Sequence, residues 1–218
     1  MKNIPRIFIG NDIKHGNIIP VDKSVAHYLS HVMRRNDCLV FGDGNEYSAS
    51  LNPDGKTLTI GKKTEHTDPT GDIVLYFAPI KRLDDMLNMA TQMGVKKFVP
   101  VITDRVVANH INWDRMKKIV IEASEQSNRN SVPEISSPIK FNDLPFDGLV
   151  FADERAAYGR EMENTYHGTT AVLVGPEGGF SDSEFETLDT RGARGMLLGK
   201  TILRAELAAP IAISRVML

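Results

Sequence analysis

The residue types and spacings best suited to chemistry lie in two glycine-bearing loops. The first, Val174-Gly175-Pro176-Glu177-Gly178-Gly179-Phe180, leaves an apolar run that includes Leu173 and enters Ser181-Asp182-Ser183-Glu184. Ser181 and Glu184 have capping-box spacing, and Phe180 with Phe185 can close a hydrophobic staple, so the loop is fixed from the helix side. Gly178 and Gly179 leave backbone bare to a ligand's close approach. A helix N-terminus behind such a loop ordinarily favours an anion. Here Glu177, Asp182 and Glu184 would ring that end with carboxylates, which disfavours a polyphosphate and suits a ligand of cationic character. Neither GxGxxG nor GxxxxGK[ST] occurs, so the dinucleotide and P-loop readings lack their central residues. The alternative is a tight structural turn between strand and helix.

The second loop runs Leu197-Leu198-Gly199-Lys200-Thr201-Ile202-Leu203-Arg204-Ala205-Glu206. Two such loops at the carboxyl ends of neighbouring parallel strands would share one crevice, where open α/β sheets bind ligands. Arg204 and Glu206 would open the next helix, either as working groups or as a surface ion pair of little energetic weight. A polar run from Glu122 to Asn130, with Arg129 in it, reads either as a solvated helix end or as a hydrogen-bonding wall. Arg6, Arg34 and Arg35 are the candidate phosphate contacts nearer the N-terminus. Cys38 has no evident catalytic partner and reads as a core thiol. No His, Cys or carboxylate cluster has metal-ligand spacing, so no metal is expected. A serine-nucleophile elbow and a carboxylate dyad are also missing, which disfavours a hydrolase.

The elements that must position these residues fall into two patterns. Up to residue 66 the chain reads as short strands (Arg6–Gly10, Cys38–Phe41, Tyr47–Leu51, Thr57–Gly61) parted by turn formers at Gly42–Asn45 and Asn52–Gly55. One helix is expected over Val25–Arg35, and Thr67–Asp72 has linker composition. Beyond it, apolar runs at Ile73–Phe77, Phe98–Ile102, Leu149–Ala152, Ala171–Val174 and Met196–Leu198 suit a doubly covered parallel sheet. Helical stripes alternate with them, which predicts the α/β class. The last stretch, from about Arg204 to Leu218, is apolar almost all round and needs cover on most sides, at a subunit interface or deep in the domain.

Twenty-six Lys and Arg against 28 Asp and Glu among 218 residues give a formal charge of −2. A polyanion must therefore be met by a local cluster, not by bulk charge. A single cysteine excludes an internal disulfide framework. No apolar run approaches membrane-spanning length and the N-terminus lacks signal-peptide design, so a cytoplasmic protein without membrane contact is expected.

The two glycine loops, the Glu125-Gln126-Ser127-Asn128-Arg129-Asn130-Ser131-Val132-Pro133-Glu134-Ile135 run and the N-terminal Pro5-Arg6-Ile7-Phe8 together resemble the ribosomal RNA small subunit methyltransferase E family. The likeness spans essentially the whole chain. It implies a SPOUT-class enzyme using S-adenosylmethionine to methylate uridine N3 in 16S rRNA of the small ribosomal subunit. The implied architecture is a PUA-like RNA-binding β-barrel at 1–68 and, at 69–218, a parallel-sheet SPOUT domain with a C-terminal trefoil knot, a topology no general packing rule would yield. A homodimer is implied, with the last helix in its interface. Cofactor contacts would come from Leu173, Val174, Gly175, Pro176, Glu177, Gly178 and Gly179, and from Leu197, Leu198, Gly199, Ile202 and Leu203. Arg6, Arg34 and Arg129 would face RNA, with Arg35 beside them as a phosphate contact. For the chemistry, Arg204 is expected to stabilise the developing imide anion and Glu206, or else Glu177, to accept the proton. The family's Arg-Thr-Glu-Thr-Ala stands here as Arg204-Ala205-Glu206-Leu207-Ala208, and its Lys and Glu in an earlier helix as Met89 and Gln92. Competing readings are a SPOUT enzyme for another RNA, a non-catalytic RNA-binding protein of this fold and a small nucleotide binder.

Overall fold

The computed structural model describes residues 4–10, 12–42, 44–68, 71–106, 111–160, 166 and 168–217. Asp43 of the first expected turn, positions 69 and 70 of the expected linker, and Leu218 lie outside them. The chain forms two compact units, Met1–Pro69 with Ile121–Val132, and Thr70–Val120 with Pro133–Leu218. The first unit thus takes in the polar run after residue 121, which the sequence reading assigns to the second domain.

In the first unit, strands β1 (Arg6–Phe8), β2 (Ile18–Pro20), β3 (Asp37–Gly42), β4 (Asn45–Leu51) and β5 (Thr57–Lys63) form one sheet in the order β1-β3-β4-β5-β2. β1 runs parallel to β3, and the other pairs are antiparallel. Alternation of inward and outward residues lets Ile7, Val40, Leu58 and Ile60 meet Ala26 and Leu29 in one core. Cys38 is buried there, and desolvation pushes its thiol up to about 12, as befits a packing residue. The expected turn at Asn52–Gly55 forms: Asn52 N donates to Thr57 O at 2.9 Å, and Gly55 takes a φ of 63°. The expected helix is shorter and less regular. α1 (Lys23–His27) passes into a π-helical turn over Tyr28–Val32, and Arg34 at φ 54° reverses the chain into β3.

The second unit is built on a seven-stranded sheet whose pairings are all parallel. Its strands are β6 (Val74–Phe77), β7 (Lys97–Ile102), β8 (Glu134–Ile135), β9 (Ile139–Lys140), β10 (Leu149–Ala152), β11 (Ala171–Val174) and β12 (Arg194–Met196). The order is β12-β10-β11-β6-β7-β8, with β9 also paired to β7. β10 and β11 occupy the residues expected of them, because a strand covered on both faces must be continuously apolar. β12 ends two residues earlier than expected. Leu197 and Leu198 leave the sheet for the loop that follows.

The helices are α2 (Leu83–Gln92), α3 (Trp113–Gln126), α4 (Asp182–Thr190) and α5 (Ala205–Met217). Regular alternation of strand and helix fails between β10 and β11, where the described residues hold only a 3-10 turn over Glu154–Tyr158. Side-chain bonds hold this stretch. Asp153 is buried and accepts from Arg155 Nε at 2.9 Å, while Arg155 and Arg160 both reach Asp189 of α4. On one face of the sheet Phe141, Phe146, Phe151, Phe180 and Phe185 pack with Leu173 and Leu188. α5 packs against α2, β10 and β11 through Ala205, Ala208, Ala209, Ala212, Ile213 and Val216. Their i, i+3, i+4 spacing makes one buried stripe. Among the described residues no helix is long and apolar enough to cross a membrane.

Candidate functional site

A cavity of about 430 Å³ lies at the carboxyl ends of the parallel strands, within the second unit. Four chain segments line it: Lys81 and Arg82 beyond β6, Ala152–Glu154 at the end of β10, Val174–Glu177 with Gly179 beyond β11, and Leu198, Gly199 and Thr201–Glu206 beyond β12. The two glycine loops do share one crevice, but their strands are not neighbours. β10 lies between β11 and β12 and contributes Asp153 and Glu154 to the wall.

The first loop is fixed from two sides. On the helix side, Ser181 Oγ accepts from Glu184 N, and Glu184 Oε2 accepts from Ser181 N at 2.8 Å, the full capping box. Phe180 and Phe185 form the staple, with ring centroids 5.6 Å apart. On the other side, the segment after β7 clamps the loop. Arg105 donates to Gly178 O at 3.2 Å and Phe180 O at 3.1 Å, Asp104 N donates to Glu184 Oε1 at 2.9 Å, and Ser181 Oγ donates to Asp104 Oδ2 at 2.6 Å. This clamp joins residues 73 or more positions apart in the chain, and no local sequence signal marks it.

In this loop glycine is required at two positions, by contact at Gly175 and by backbone conformation at Gly179. A Cβ on Gly175 would stand 3.0 Å from the ring of Phe180. Gly179 has a φ of 68°, and the Glu154 carboxylate occupies the space a Cβ would need.

The expected ring of carboxylates is only partly present. Glu184 is buried and spent on the cap, so it does not face the cavity. Asp182 does not line it either, and Glu177 does. Glu177 Oε1 accepts from Lys81 N at 2.8 Å. Glu206, whose side chain is 13% exposed, faces Arg82 Nε at 3.8 Å, so its cationic neighbour is Arg82 and not the expected Arg204. Arg204 lines the cavity and is exposed. Burial works against the charge on Arg155, but hydrogen bonds to Asp153 and Asp189 outweigh it and raise its pKa, and Asp189 is held below the usual carboxylate range chiefly by Arg155.

Of the expected cofactor contacts, Val174, Gly175, Pro176, Glu177, Gly179, Leu198, Gly199, Ile202 and Leu203 line the cavity. Leu173 points into the aromatic core, Gly178 backs onto Arg105, and Leu197 does not reach the wall. Lys81, Arg82, Asp153 and Glu154 are the wall residues that sequence reasoning misses.

The four expected RNA-facing arginines lie in the first unit and differ in fate. Arg6 is turned inward, its side chain only 7% exposed, and donates to Glu46, Arg129 O and Asn130 Oδ1 at 2.8–2.9 Å. Arg129 is buried too, and desolvation lowers its pKa. Burial of both is the physical reason they cannot present a free guanidinium to a phosphate. Arg35 is paired with Asp37, and Arg34 is exposed. Among the described residues no group of three or more His, Cys, Asp or Glu could hold a metal ion.

The RNA methyltransferase domain family matches residues 66–217. The chain is 34% identical to the ribosomal RNA small subunit methyltransferase E of Rickettsia conorii, over 98% of this chain and 95% of the relative. It is 29% identical to the protein of the same name from Aquifex aeolicus, over 94% and 96%. Among solved structures, the ribosomal RNA small subunit methyltransferase E of Neisseria gonorrhoeae bound to S-adenosyl methionine superposes with a TM-score of 0.83 at 26% identity, covering 97% of this chain and 96% of that one.

Proposed function

This chain belongs to the ribosomal RNA small subunit methyltransferase E family, and on that footing we propose that it methylates N3 of a uridine in 16S rRNA, with S-adenosylmethionine as donor and the assembled small subunit as substrate. The observation that carries this reading is the cavity. Its volume suits a nucleoside-sized ligand. The residues present fit the cofactor: Val174, Leu198, Ile202 and Leu203 offer apolar surface, the glycine segments offer bare main chain, and Glu177 and Glu206 suit a cation. When bound, the cofactor supplies an electrophilic methyl group on a sulfonium.

The chain's own residues would do the rest. Arg204 donates to a uracil carbonyl oxygen and stabilises the negative charge that grows on the imide as N3 loses its proton. Glu206, a largely buried carboxylate on the cavity wall, accepts that proton. The capped and clamped loop holds the reactants in place, so that positioning does most of the remaining work.

The same reading assigns residues 1–68 to a PUA-like barrel that meets RNA through Arg34 and Arg35, with Arg6 and Arg129 shaping that surface from within. It assigns 69–218 to a SPOUT domain with a C-terminal trefoil knot. The return of the chain from edge strand β12 to α5, packed on central β11, supports this. Homodimerisation through α5 is supported by the apolar residues that helix leaves outside its buried stripe.

The test is incubation with labelled S-adenosylmethionine and small subunits that lack the modification, followed by mass spectrometry of the digested nucleosides. Labelled 3-methyluridine in 16S rRNA is the expected product. Label in a different nucleoside or a different RNA would replace the substrate assignment, and no label on any RNA would overturn the activity.

A further inference from the structure

We infer that Lys81 and Arg82 form a phosphate-binding rim on the cavity that takes the RNA backbone flanking the target nucleotide. The inference rests on the methyltransferase reading of the cavity and adds to it where the polyanion is gripped. A chain of formal charge −2 must meet RNA through a local cluster. In the first unit Arg6 and Arg129 are buried and Arg35 is paired with Asp37. Of the four expected arginines only Arg34 is thus left exposed without an ion pair among the described residues, and none of them stands at the cavity.

The cavity wall does supply such a cluster. Lys81 and Arg82 both line the cavity while remaining exposed to solvent. Several other cations of the second unit are held by close carboxylates, Lys96 by Asp72 at 2.8 Å, Lys97 by Glu134 at 2.8 Å, and Arg155 and Arg160 by Asp189, while Lys117, Lys118 and Lys140 are exposed but do not line the cavity. Arg115 engages Asp84, which removes that carboxylate from competition at the start of α2. Arg82, with 61% of its side chain exposed, has only long ion pairs among the described residues, 3.8 Å to Glu206 and 4.0 Å to Asp85. Neither is close enough for a hydrogen bond, and the Asp85 pair, exposed on both sides, is weak in water, so the guanidinium is available to a phosphate.

Charge is sorted across the wall. Glu177 takes its hydrogen bond from the backbone of Lys81, which leaves the lysine ammonium uncommitted by that contact. Glu206 lies just inside Arg82. At this pair the carboxylate, 13% exposed, lies deeper, where a cationic ligand suits it, and the guanidinium, 61% exposed, lies nearer solvent, where phosphates arrive.

The experiment compares wild type with Lys81→Ala/Arg82→Ala, measuring S-adenosylmethionine affinity by calorimetry and small-subunit binding by filter retention over a range of KCl concentrations. The double variant should bind the cofactor within about two-fold of wild type. Its affinity for the subunit should fall about ten-fold near physiological salt, and its log–log salt slope should be shallower by about 1.4–1.8, the release expected for two phosphate contacts. Lys81→Arg/Arg82→Lys, which keeps the charge, should restore both quantities. Unchanged subunit affinity and slope would overturn the inference. A loss confined to cofactor affinity would overturn it too, assigning the pair to the cofactor. Wild-type subunit binding without methylated product would count against the methylation reading alone, since the rim is judged on binding.

Discussion

Gly175 sits where a ring presses on the backbone. A Cβ there would meet Cε2 and Cζ of Phe180 at 3.0 Å, and Phe180 cannot retreat, since it is wedged against Phe141, Phe151 and Phe185. Gly175→Ala therefore overpacks a full aromatic cluster, at a cost of about 1–3 kcal/mol in stability. The added methyl also pushes on the loop that lines the cavity, so affinity for S-adenosylmethionine should fall with it. Urea unfolding and calorimetry read the two effects. Phe180→Leu placed in the same chain makes room, so the double variant should be less destabilised than the two single costs added together. Strict additivity would mean that the ring does not set the identity of residue 175. Gly179 owes its identity to a different cause, its left-handed φ of 68°, while the contact with Glu154 involves only the end of a flexible side chain.

At the scale of elements, the first unit depends on a buried ion pair between two strands. Glu46 of β4, 4% exposed, accepts from Arg6 Nε of β1 at 2.9 Å and from Thr64 Oγ1 at 2.7 Å. Arg6 in turn binds the carbonyls of Ser124 and Arg129 and the side chain of Asn130, pinning that segment to the sheet. Glu46→Ala would strand a buried guanidinium, and we expect a loss of about 3–5 kcal/mol in chemical denaturation. Glu46→Gln keeps an acceptor for Arg6 and should cost less than half as much. Equal losses would show that packing, not charge, holds the strands. Nothing in the sequence around Arg6 announces this role, because a lone arginine in a short strand reads as a surface residue until its partners, 40 to 124 positions away, are known. Local signals fared better. The continuous apolar runs of β10 and β11 and the Ser181–Glu184 capping box are written within a few residues, and each forms where expected. The insertion of β10 between β11 and β12 is not local, since any of several parallel orders would satisfy the same apolar runs. Lys81, Arg82 and Glu154 reach the cavity by that same long-range order, and for that reason escape a motif-based reading.

At the scale of the whole molecule, the last helix carries more apolar surface than one chain covers. The residues of α5 that meet its own sheet and α2 lie on one side. Leu207, Pro210, Ile211 and Met217 fall on the other, around the small Ser214, with Leu207 45% and Met217 51% exposed. A helix apolar on both faces is stable in water only when the second face is also covered. A second copy of the chain would offer a matching face about a two-fold axis, and apolar burial at about 25 cal/mol per Å² would drive the association. Wild type should therefore sediment at twice the chain mass at micromolar concentration. Leu207→Glu/Ile211→Glu places two charges one turn apart on that face, and neither residue lines the cavity. The variant should sediment as a monomer with its helical circular dichroism retained, since the buried stripe of α5 is untouched. A variant that stays dimeric would move the interface elsewhere, and a wild-type monomer would leave the outer face of α5 to a different partner.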